Sequence, residues 1–344
     1  MLTIRYTLSA QGISMKYQVF ILSLLLFYGC LEKTDLVSVG DDENDFGIYF
    51  LNDALLTAHQ AIEMDIHSLD LKNDPWISNN DIEFYDFSTH CIYLKNDKSY
   101  FFDNYGGNFY QFNPTIVGRP FVVIAGTERC YVGALHSGLL SMAPAFPYID
   151  ESDVSFFPED VIHISRAWID NEADTRSHLK VEEVLIERNL FHAGLEIELK
   201  SFGLIDNSDT ATVDYTIKIK NNDRDDIYII DPEKMGSERF HYYTNGPHLW
   251  DYSKSKYIYS QFKQVVSPEP YNSWDIDWFT RLKSNQTIER IITLKGYPHI
   301  PQGNYIGYMI FSNPTRISKD KRYISNGRVW IGSVKSSELE IVIQ

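Results

Sequence analysis

The second half of the chain shows a regular alternation of hydrophobic and polar positions. Leu195, Ile197 and Leu199 alternate with charged residues, and the hydrophobic residues of 213–219 do the same. A period of two residues sends alternate side chains to opposite faces of a strand, which indicates half-buried strands of an antiparallel sheet. Further strand-like runs follow at 227–230, 239–243, 256–262, 287–294, 305–311 and 339–343. Several strands joined by short turns predict a β-sandwich over residues 192–344.

The first half mixes short helical and strand patterns, which predicts an α+β domain over residues 46–150. Thr57 and Gln60 have the spacing of a capping box, so we expect a helix from about Ala58 to about Met64. Ser78 could cap a second short helix that runs through Asp81 and Tyr85. The predicted strands are 47–51, 89–94, 119–125 and 128–132, the last two forming a hairpin about Gly126-Thr127.

Residues 151–191 predict a connector between these two halves. The prolines of 144–158 are typical of a linker or crossing loop. A strand at 161–164 and a helix over 178–191 follow, and Gly194 is placed to end the helix.

Three short motifs in the first half resemble a known domain. They are Pro75-x-x-Ser78-x-x-Asp81-Ile82, a strand ending in Ile92-Tyr93-Leu94, and the run from Val117 to Ile124. Their order is similar to that of the first periplasmic head domain of the SecDF protein-export subunits. The resemblance covers about residues 46–150 and implies a small α+β sandwich. It does not imply a translocation role, because the multi-pass membrane part of those subunits has no counterpart here.

The turn Ile300-Pro301-Gln302-Gly303-Asn304-Tyr305 is similar to a Pro-x-Gly-x-Tyr turn of bacterial immunoglobulin-like domains, including the BsuPI-type inhibitor module. The resemblance covers about residues 192–344 and implies an immunoglobulin-like sandwich. It specifies a fold and no partner.

The beginning of the chain resembles an export signal. Lys16 supplies a positive charge, and Val19 to Phe27 supply an apolar run that is shorter than the roughly 18 residues a membrane-spanning helix needs. Gly29-Cys30 resembles the end of a bacterial lipobox, which implies that Cys30 carries lipid and becomes the mature N-terminus. Residues 1–30 are then the signal peptide, although an ordinary signal peptide with a chance cysteine stays open.

Residues 31–45 form an acidic tether, and the whole chain carries a formal net charge of −16. Such a charge repels phosphate backbones and anionic lipid, which argues against nucleic-acid binding and against electrostatic attachment to membranes. We therefore expect the protein to reach the membrane through acyl chains on Cys30. The expected location is the cell envelope, at the outer membrane and facing either the periplasm or the surface.

Cys91 and Cys130 are the other two cysteines of the chain. Both fall on predicted strands, so in an oxidising compartment they could form one disulfide. They could equally be small buried apolar residues.

No metal or other cofactor is expected. Glu238, His241 and His248 are the closest histidine cluster, but positions three apart on a strand point to opposite faces. Asp223, Asp225 and Asp231 lack the central glycine and the closing glutamate of a calcium-binding loop.

The segment Trp274-Asp275-Ile276-Asp277-Trp278 is the best candidate for chemistry. On a strand, Asp275 and Asp277 would share one face, as a glycosidase acid and base could. The alternative is a sheet whose aromatic face is buried and whose acids are solvated.

The longer stretch from Trp250 to Trp278 is a candidate partner surface, because tyrosine and tryptophan offer large contact areas at low entropic cost. Its aromatic residues include Tyr257 and Tyr259. The residues proposed for the surface are Trp250, Tyr252, Tyr271, Trp274 and Trp278, with Asp275 and Asp277. The alternative is that most of these rings belong to the sandwich core.

The sequence thus predicts a cell-envelope lipoprotein with a non-catalytic binding or assembly role toward an envelope protein or a glycan. Two alternatives stay open. One is an extracytoplasmic hydrolase that uses Asp275 and Asp277, and the other is a secreted-protease inhibitor.

Overall fold

A computed structural model of the protein describes residues 45–103, 118–137, 144–167, 174–208, 210–231, 234, 246–260, 275–313, 315 and 317–344. Strands account for 50% of the structure and helices for 14%, so the fold is largely β. Residues from Asp42 onward form one compact unit. The signal-like run, Cys30, Glu238, His241, Tyr271, Trp274 and the predicted strand 239–243 lie outside the described residues.

We find no helix in the described residues that is long and apolar enough to cross a membrane.

In the described part of the first half, the strands form two sheets, in the orders β2-β1-β5-β6-β7 and β8-β4-β3-β9. The strands are β1 Phe46–Phe50, β2 Ile77–Ser78, β3 Ile82–Asp86, β4 Cys91–Leu94, β5 Pro120–Ala125, β6 Glu128–His136, β7 Tyr148–Asp150, β8 Val161–His163 and β9 Phe191–His192. The helices are Ala58–Glu63, Ser99–Asp103, Glu151–Phe156 and Leu179–Glu187, with a 3-10 turn at Ile66–Ser68.

Two local predictions in this half are confirmed. The helix Ala58–Glu63 begins with the predicted capping box, in which the Gln60 N–H donates to Thr57 Oγ1 and the Thr57 N–H donates to Gln60 Oε1. The hairpin of β5 and β6 turns at Gly126, which has a φ of +59°. Glycine adopts that conformation at little cost, so the turn forms where the sequence places it.

The predicted helix after Ser78 is wrong. Ser78 lies in β2, and its N–H and hydroxyl both donate to Asp81 Oδ2, at 2.8 and 2.6 Å. These bonds close a turn into β3, because the same Ser/Asp spacing satisfies either a helix start or a tight turn. Ile82 and Tyr85 are then buried as strand residues.

Residues 151–191, which we expected to be a connector, are built into the first half. Strand β8 pairs with β4, β9 pairs with β3, and the helix Leu179–Glu187 packs on β1, β5 and β6. The helix ends at Arg188 and Asn189, not at Gly194 as predicted. Gly194 has a φ of +68°, and a Cβ there would lie 2.1 Å from Ser88 Oγ, so its role is close packing between the halves.

The described residues of the second half form four sheets, in the orders β10-β11-β16, β15-β12-β20-β19, β14-β13-β17-β22 and β18-β21. The strands are β10 Leu195–Asn207, β11 Thr210–Asn221, β12 Asp226–Ile230, β13 His248–Asp251, β14 Lys256–Ile258, β15 Phe279–Leu282, β16 Thr287–Pro298, β17 Gly303–Tyr308, β18 Ile310–Asn313, β19 Tyr323–Ile324, β20 Gly327–Val329, β21 Gly332–Lys335 and β22 Leu339–Ile343. A 3-10 turn spans Ile276–Trp278, and a short helix spans Lys319–Arg322.

The predicted alternation in β10 and β11 is confirmed. The two strands pair antiparallel, with Ile197 opposite Ile219 and Glu198 opposite Lys218. The hydrophobic residues of this alternation are buried. They share one cluster with residues of β13, β17 and β22, and that cluster includes Leu199, Ile217, Leu249, Tyr305 and Ile341. Two sheets that share one cluster in this way are consistent with a β-sandwich.

A separate hydrophobic cluster joins the two halves. Phe84, Tyr93 and Val161 of the first half pack with Ile230 and Val329 of the second. The division into separately cooperative units at 46–150 and 192–344 stays a prediction.

Candidate functional site

One face of the sheet β14-β13-β17-β22 carries a group of aromatic side chains. In strand β13, Leu249 is buried and the next residue, Trp250, is half-buried. Trp250 is paired with Tyr257 of β14. On the other side of β13, His248 is paired with Tyr308 of β17. The inward positions belong to the shared hydrophobic cluster, so the period of two directs the remaining rings outward.

We call these outward rings the aromatic face and define it by five residues: His248, Trp250, Tyr257, Tyr259 and Tyr308. The His248 ring lies between two tyrosines, with its centroid 5.8 Å from that of Tyr259 and 5.4 Å from that of Tyr308. Trp250 and Tyr257 have centroids 4.5 Å apart, and Tyr257 meets Tyr308 edge-on at 6.3 Å. The five rings therefore form one continuous surface that spans three strands.

The aromatic face is open to solvent at its β14 end. Tyr257 is 47% exposed and Tyr259 is 51% exposed. Tyr252, in the turn between β13 and β14, is 65% exposed. Trp250, His248 and Tyr308 are half-buried. Contact with neighbouring rings limits the rotamers of these side chains before any ligand arrives, which reduces the entropic cost of binding.

His248 and Tyr308 are uncharged near neutral pH. Burial lowers the pKa of His248, which favours the neutral imidazole. Burial and the neighbouring Tyr257 raise the pKa of Tyr308 to about 12. Lys335 Nζ lies 4.2 Å from the Tyr308 ring centroid, a cation–π distance, and 2.8 Å from Glu338 Oε1. The Lys335 charge is therefore balanced where it touches the aromatic face.

The turn between β13 and β14 fixes the position of the two strands. Asp251 is buried, and its Oδ1 accepts hydrogen bonds from the Ser253 N–H and hydroxyl at 2.9 and 2.7 Å. Ser255 completes the reversal with a φ of 48°. This local hydrogen bonding sets the register that places Tyr257 beside Trp250.

The outer face of the β10-β11-β16 sheet has a different character. Glu198 accepts from Lys218 at 3.0 Å and lies 3.4 Å from Lys200, and Lys220 lies 4.0 Å from Glu196. Cross-strand ion pairs of this kind are typical of a solvated sheet surface. The aromatic face and these ion pairs thus lie on different sheets of the two that share the hydrophobic cluster.

The structure separates the residues of the predicted partner surface. Trp250 belongs to the aromatic face, and Tyr252 follows it in the turn. Asp275, Asp277 and Trp278 lie instead on the 3-10 turn that leads into β15, a strand of another sheet. Trp278 is half-buried against the cluster that joins the two halves, so it acts there as a packing residue.

The predicted strand at 274–278 is wrong over its described part. Asp275 caps the 3-10 turn, with its Oδ1 accepting the Asp277 N–H at 3.0 Å. Both carboxylates are exposed. The shared strand face on which the glycosidase-like pairing of Asp275 and Asp277 depends is therefore not formed.

Sequence reasoning missed His248, Tyr308 and Lys335 as parts of this surface. A signal for His248 exists, because it is two residues from Trp250 and a strand places both on one face. Tyr308 has no comparable signal. Its place beside His248 depends on a strand pairing across 60 residues of sequence.

A second polar arrangement, the junction network, lies where the two halves meet. It consists of Asp86, His192, Asp223, Arg224 and Arg328. The Arg328 Nη2 donates to Asp86 at 2.5 Å and to Asp223 at 2.9 Å. Burial alone would raise the pKa of Asp223, but the His192 hydrogen bond and the Arg328 charge lower it to about 2.

Three residues in this region have metal-ligating atoms close enough together for one metal ion. The ligand atoms of His192, Asp223 and Asp225 lie within 4.8 Å of one another. However, His192 Nδ1 lies 2.8 Å from Asp223, and its Nε2 lies 3.2 Å from Arg224 Nη2. Because a guanidinium can only donate, Nε2 accepts and Nδ1 carries the proton, so both ring nitrogens are engaged. The arrangement fits an ion-pair network better than a metal centre.

A serine, a histidine and an aspartate also meet near the helix Glu151–Phe156. His163 Nδ1 lies 2.8 Å from Asp153, and the Ser165 hydroxyl lies 2.9 Å from the same carboxylate oxygen and 3.2 Å from the same Nδ1. A catalytic triad needs the serine on Nε2, with the acid on Nδ1. The geometry therefore provides no relay from Ser165 through His163.

The possible disulfide between Cys91 and Cys130 is not formed. Cys91 is a buried free thiol on β4, and Cys130 is a half-buried free thiol on β6, a strand of a different sheet. Burial raises the pKa of both thiols, that of Cys130 to about 12. Each acts as a small apolar residue, the second reading that the sequence allowed.

Comparison of the sequence with protein-family models and with curated proteins gives no match. Among solved structures, a crystal structure of a protein described as ApaA from Bordetella pertussis is 13% identical to this chain. The match covers 43% of this chain and 93% of that chain, with a TM-score of 0.23. At that TM-score the match carries no information on the fold or the function of this protein.

Proposed function

We propose that this protein is a lipid-anchored protein of the cell envelope that binds a partner through the aromatic face and catalyses no reaction. The observation that carries the binding role is the continuous set of five rings on one sheet face, three of them tyrosines. Tyrosine and tryptophan combine large contact area with a polar atom at the ring edge, which is why they dominate binding surfaces.

The proposed architecture is an α+β N-terminal domain followed by an immunoglobulin-like sandwich. The largely β fold and the shared cluster of two sheets support the second part. In such sandwiches, binding surfaces lie on exposed sheet faces or at the loops between strands. The aromatic face and the adjoining turn at Tyr252 have this placement.

The proposed location rests on the sequence. The apolar run after Lys16, Gly29-Cys30 and the acidic tether of 31–45 support export and lipid attachment at Cys30. The partner is then a component of the envelope, either a protein or a glycan.

The binding role is tested by affinity capture from the organism's own envelope, with the intact lipoprotein as bait. Two variants are compared with the parent: Trp250→Ala, within the aromatic face, and Tyr100→Ala, which removes an exposed tyrosine from the first half. We expect the parent and Tyr100→Ala to retain the same envelope component and Trp250→Ala to lose it. Equal retention by all three proteins would contradict a binding role for the aromatic face.

A further inference from the structure

We propose that the ligand of the aromatic face is an uncharged glycan. This inference rests on the proposed binding function and adds the chemical class of the ligand. Three properties of the aromatic face lead to it: the charge balance of its described residues, the polar atoms at its ring edges, and the width of its sheet.

Among the described residues of the four strands and their adjoining turns, the charges balance. The charged residues on its four strands, on the turn between β13 and β14, and beside β22 are three lysines and three acids: Lys254, Lys256, Lys335, Asp251, Glu338 and Glu340. Two of these lysines are already paired, Lys335 with Glu338 at 2.8 Å and Lys254 with Asp251 at 3.6 Å. A locally neutral patch on a chain of net charge −16 does not select a ligand by charge, and the surrounding field repels anions.

The ring edges offer hydrogen-bonding groups to a ligand. Within the described part of the chain, neither Trp250 Nε1 nor the Tyr259 hydroxyl has a hydrogen-bond partner. A purely apolar partner would desolvate these groups without replacing their bonds to water, which costs free energy. A ligand with hydroxyl groups can satisfy them.

A sugar ring can contact both the aromatic ring faces and the polar atoms at their edges. Its C–H groups carry partial positive charge and pack on the negative face of an aromatic ring, while its hydroxyls reach the polar atoms at the edge. Tyr257 and Tyr259, at 47% and 51% exposure, present the most accessible ring surface for such contact.

The width of the sheet suits a chain of sugars. Four strands at a spacing of about 4.8 Å make a sheet roughly 14 Å wide. A surface of this width can contact several units of a polymer. We therefore expect modest affinity that increases with the length of the oligosaccharide.

The test is a titration of the soluble Cys30→Ser protein with neutral hexasaccharides of glucose, N-acetylglucosamine and mannose, and with an acidic hexasaccharide of galacturonic acid. We expect binding of at least one neutral hexasaccharide, with a Kd that changes less than about twofold between 50 and 500 mM NaCl, because no counterions are released. Trp250→Ala and Tyr259→Ala should each weaken that binding about tenfold, whereas Tyr100→Ala should leave it unchanged.

Two variants at different positions keep the test valid if one of them unfolds, which near-ultraviolet circular dichroism would show. Failure of every neutral hexasaccharide to bind the parent overturns the proposal, as does binding of the acidic probe alone or a steep salt dependence. If the neutral sugars fail but an envelope protein is still captured through Trp250, the glycan is wrong and the binding function stands. If Trp250 affects neither sugar binding nor capture, both are wrong.

Discussion

Arg328 Nη2 lies 2.9 Å from Asp223 Oδ2, and both side chains are almost fully buried. The same Nη2 lies 2.5 Å from Asp86, at the end of β3 in the first half. The guanidinium also stacks over the Phe84 ring at 5.0 Å. One side chain from β20 therefore joins carboxylates that are 137 residues apart in sequence. The interface between the halves depends on this buried charge.

We predict that Arg328→Met lowers the free energy of unfolding by about 3–5 kcal/mol, because it leaves two buried carboxylates without their cation. Methionine keeps most of the volume, so the loss measures charge and not a cavity. Urea unfolding of parent and variant gives the difference. Arg281→Met is the matched control, since Arg281 pairs with Asp226 at the surface and its loss should leave the midpoint near that of the parent. Similar midpoints for Arg328→Met and Arg281→Met would contradict the role of the junction network.

The pH dependence of stability provides a second test of the same network. The pKa of Asp223 is lowered to about 2 in the folded protein, whereas an unfolded aspartate titrates near about 3.9. The stabilisation is therefore complete above about pH 4 and is lost as the pH falls toward 2. It amounts to about 2–3 kcal/mol. Unfolding free energies at pH 5, 4, 3 and 2 should fall less steeply in Asp223→Asn than in the parent. Parallel curves would show that Asp223 does not titrate with a lowered pKa.

The stability losses of two tryptophan variants distinguish a surface residue from a core residue. Trp330 is fully buried and donates its Nε1–H to Ser88 Oγ at 3.1 Å, so Trp330→Ala should cost about 3–5 kcal/mol. Trp250 is half-buried on the outer face of its sheet, and Trp250→Ala should cost about 1 kcal/mol or less. Thermal or urea midpoints measure both. A loss at Trp250 as large as that at Trp330 would place Trp250 in the core and remove it from the proposed site.

Lipid attachment at Cys30 predicts a change of location. Cys30→Ser removes the thiol that would be acylated, so the protein should move from the membrane fraction to the soluble fraction. Immunoblotting of fractionated cells measures this, with Cys130→Ser as a control that keeps the membrane location. Retention of Cys30→Ser in the membrane fraction would show that another element holds the protein there.

Local patterns in the sequence predicted the elements whose cause is local. The alternation around Ile197 and Ile219 fixed which residues of β10 and β11 are buried, because the side-chain period of a strand is two. The capping box at Thr57 predicted the start of a helix, because its two hydrogen bonds form within four residues.

The same kind of reasoning failed where one spacing serves two structures. Ser78 and Asp81 fit a helix cap or a turn, and the burial of Ile82 and Tyr85 as strand residues decides for the turn. Asp275 and Asp277 would share a face on a strand, but Asp275 accepts the Asp277 N–H and forms a 3-10 turn instead.

The candidate site could be predicted only in part. The aromatic content of their stretch predicts Trp250 and Tyr252 as site residues. Tyr308 joins the site through the pairing of β13 with β17, two strands that are distant in sequence. The contact of Arg328 with Asp86 spans 242 residues and leaves no local signal. Side-chain partners of this kind are fixed by the tertiary fold.

The most direct test of the binding role of the aromatic face is photo-crosslinking in living cells with benzoylphenylalanine placed at position 257. This substitution keeps an aromatic side chain at the exposed end of the aromatic face. The matched control carries the same residue at position 218, on the ion-paired outer face of β11. We expect a discrete adduct of higher mass from position 257 and none from position 218. Adducts from both positions, or from position 218 alone, would contradict the claim that the aromatic face is the surface that binds the partner.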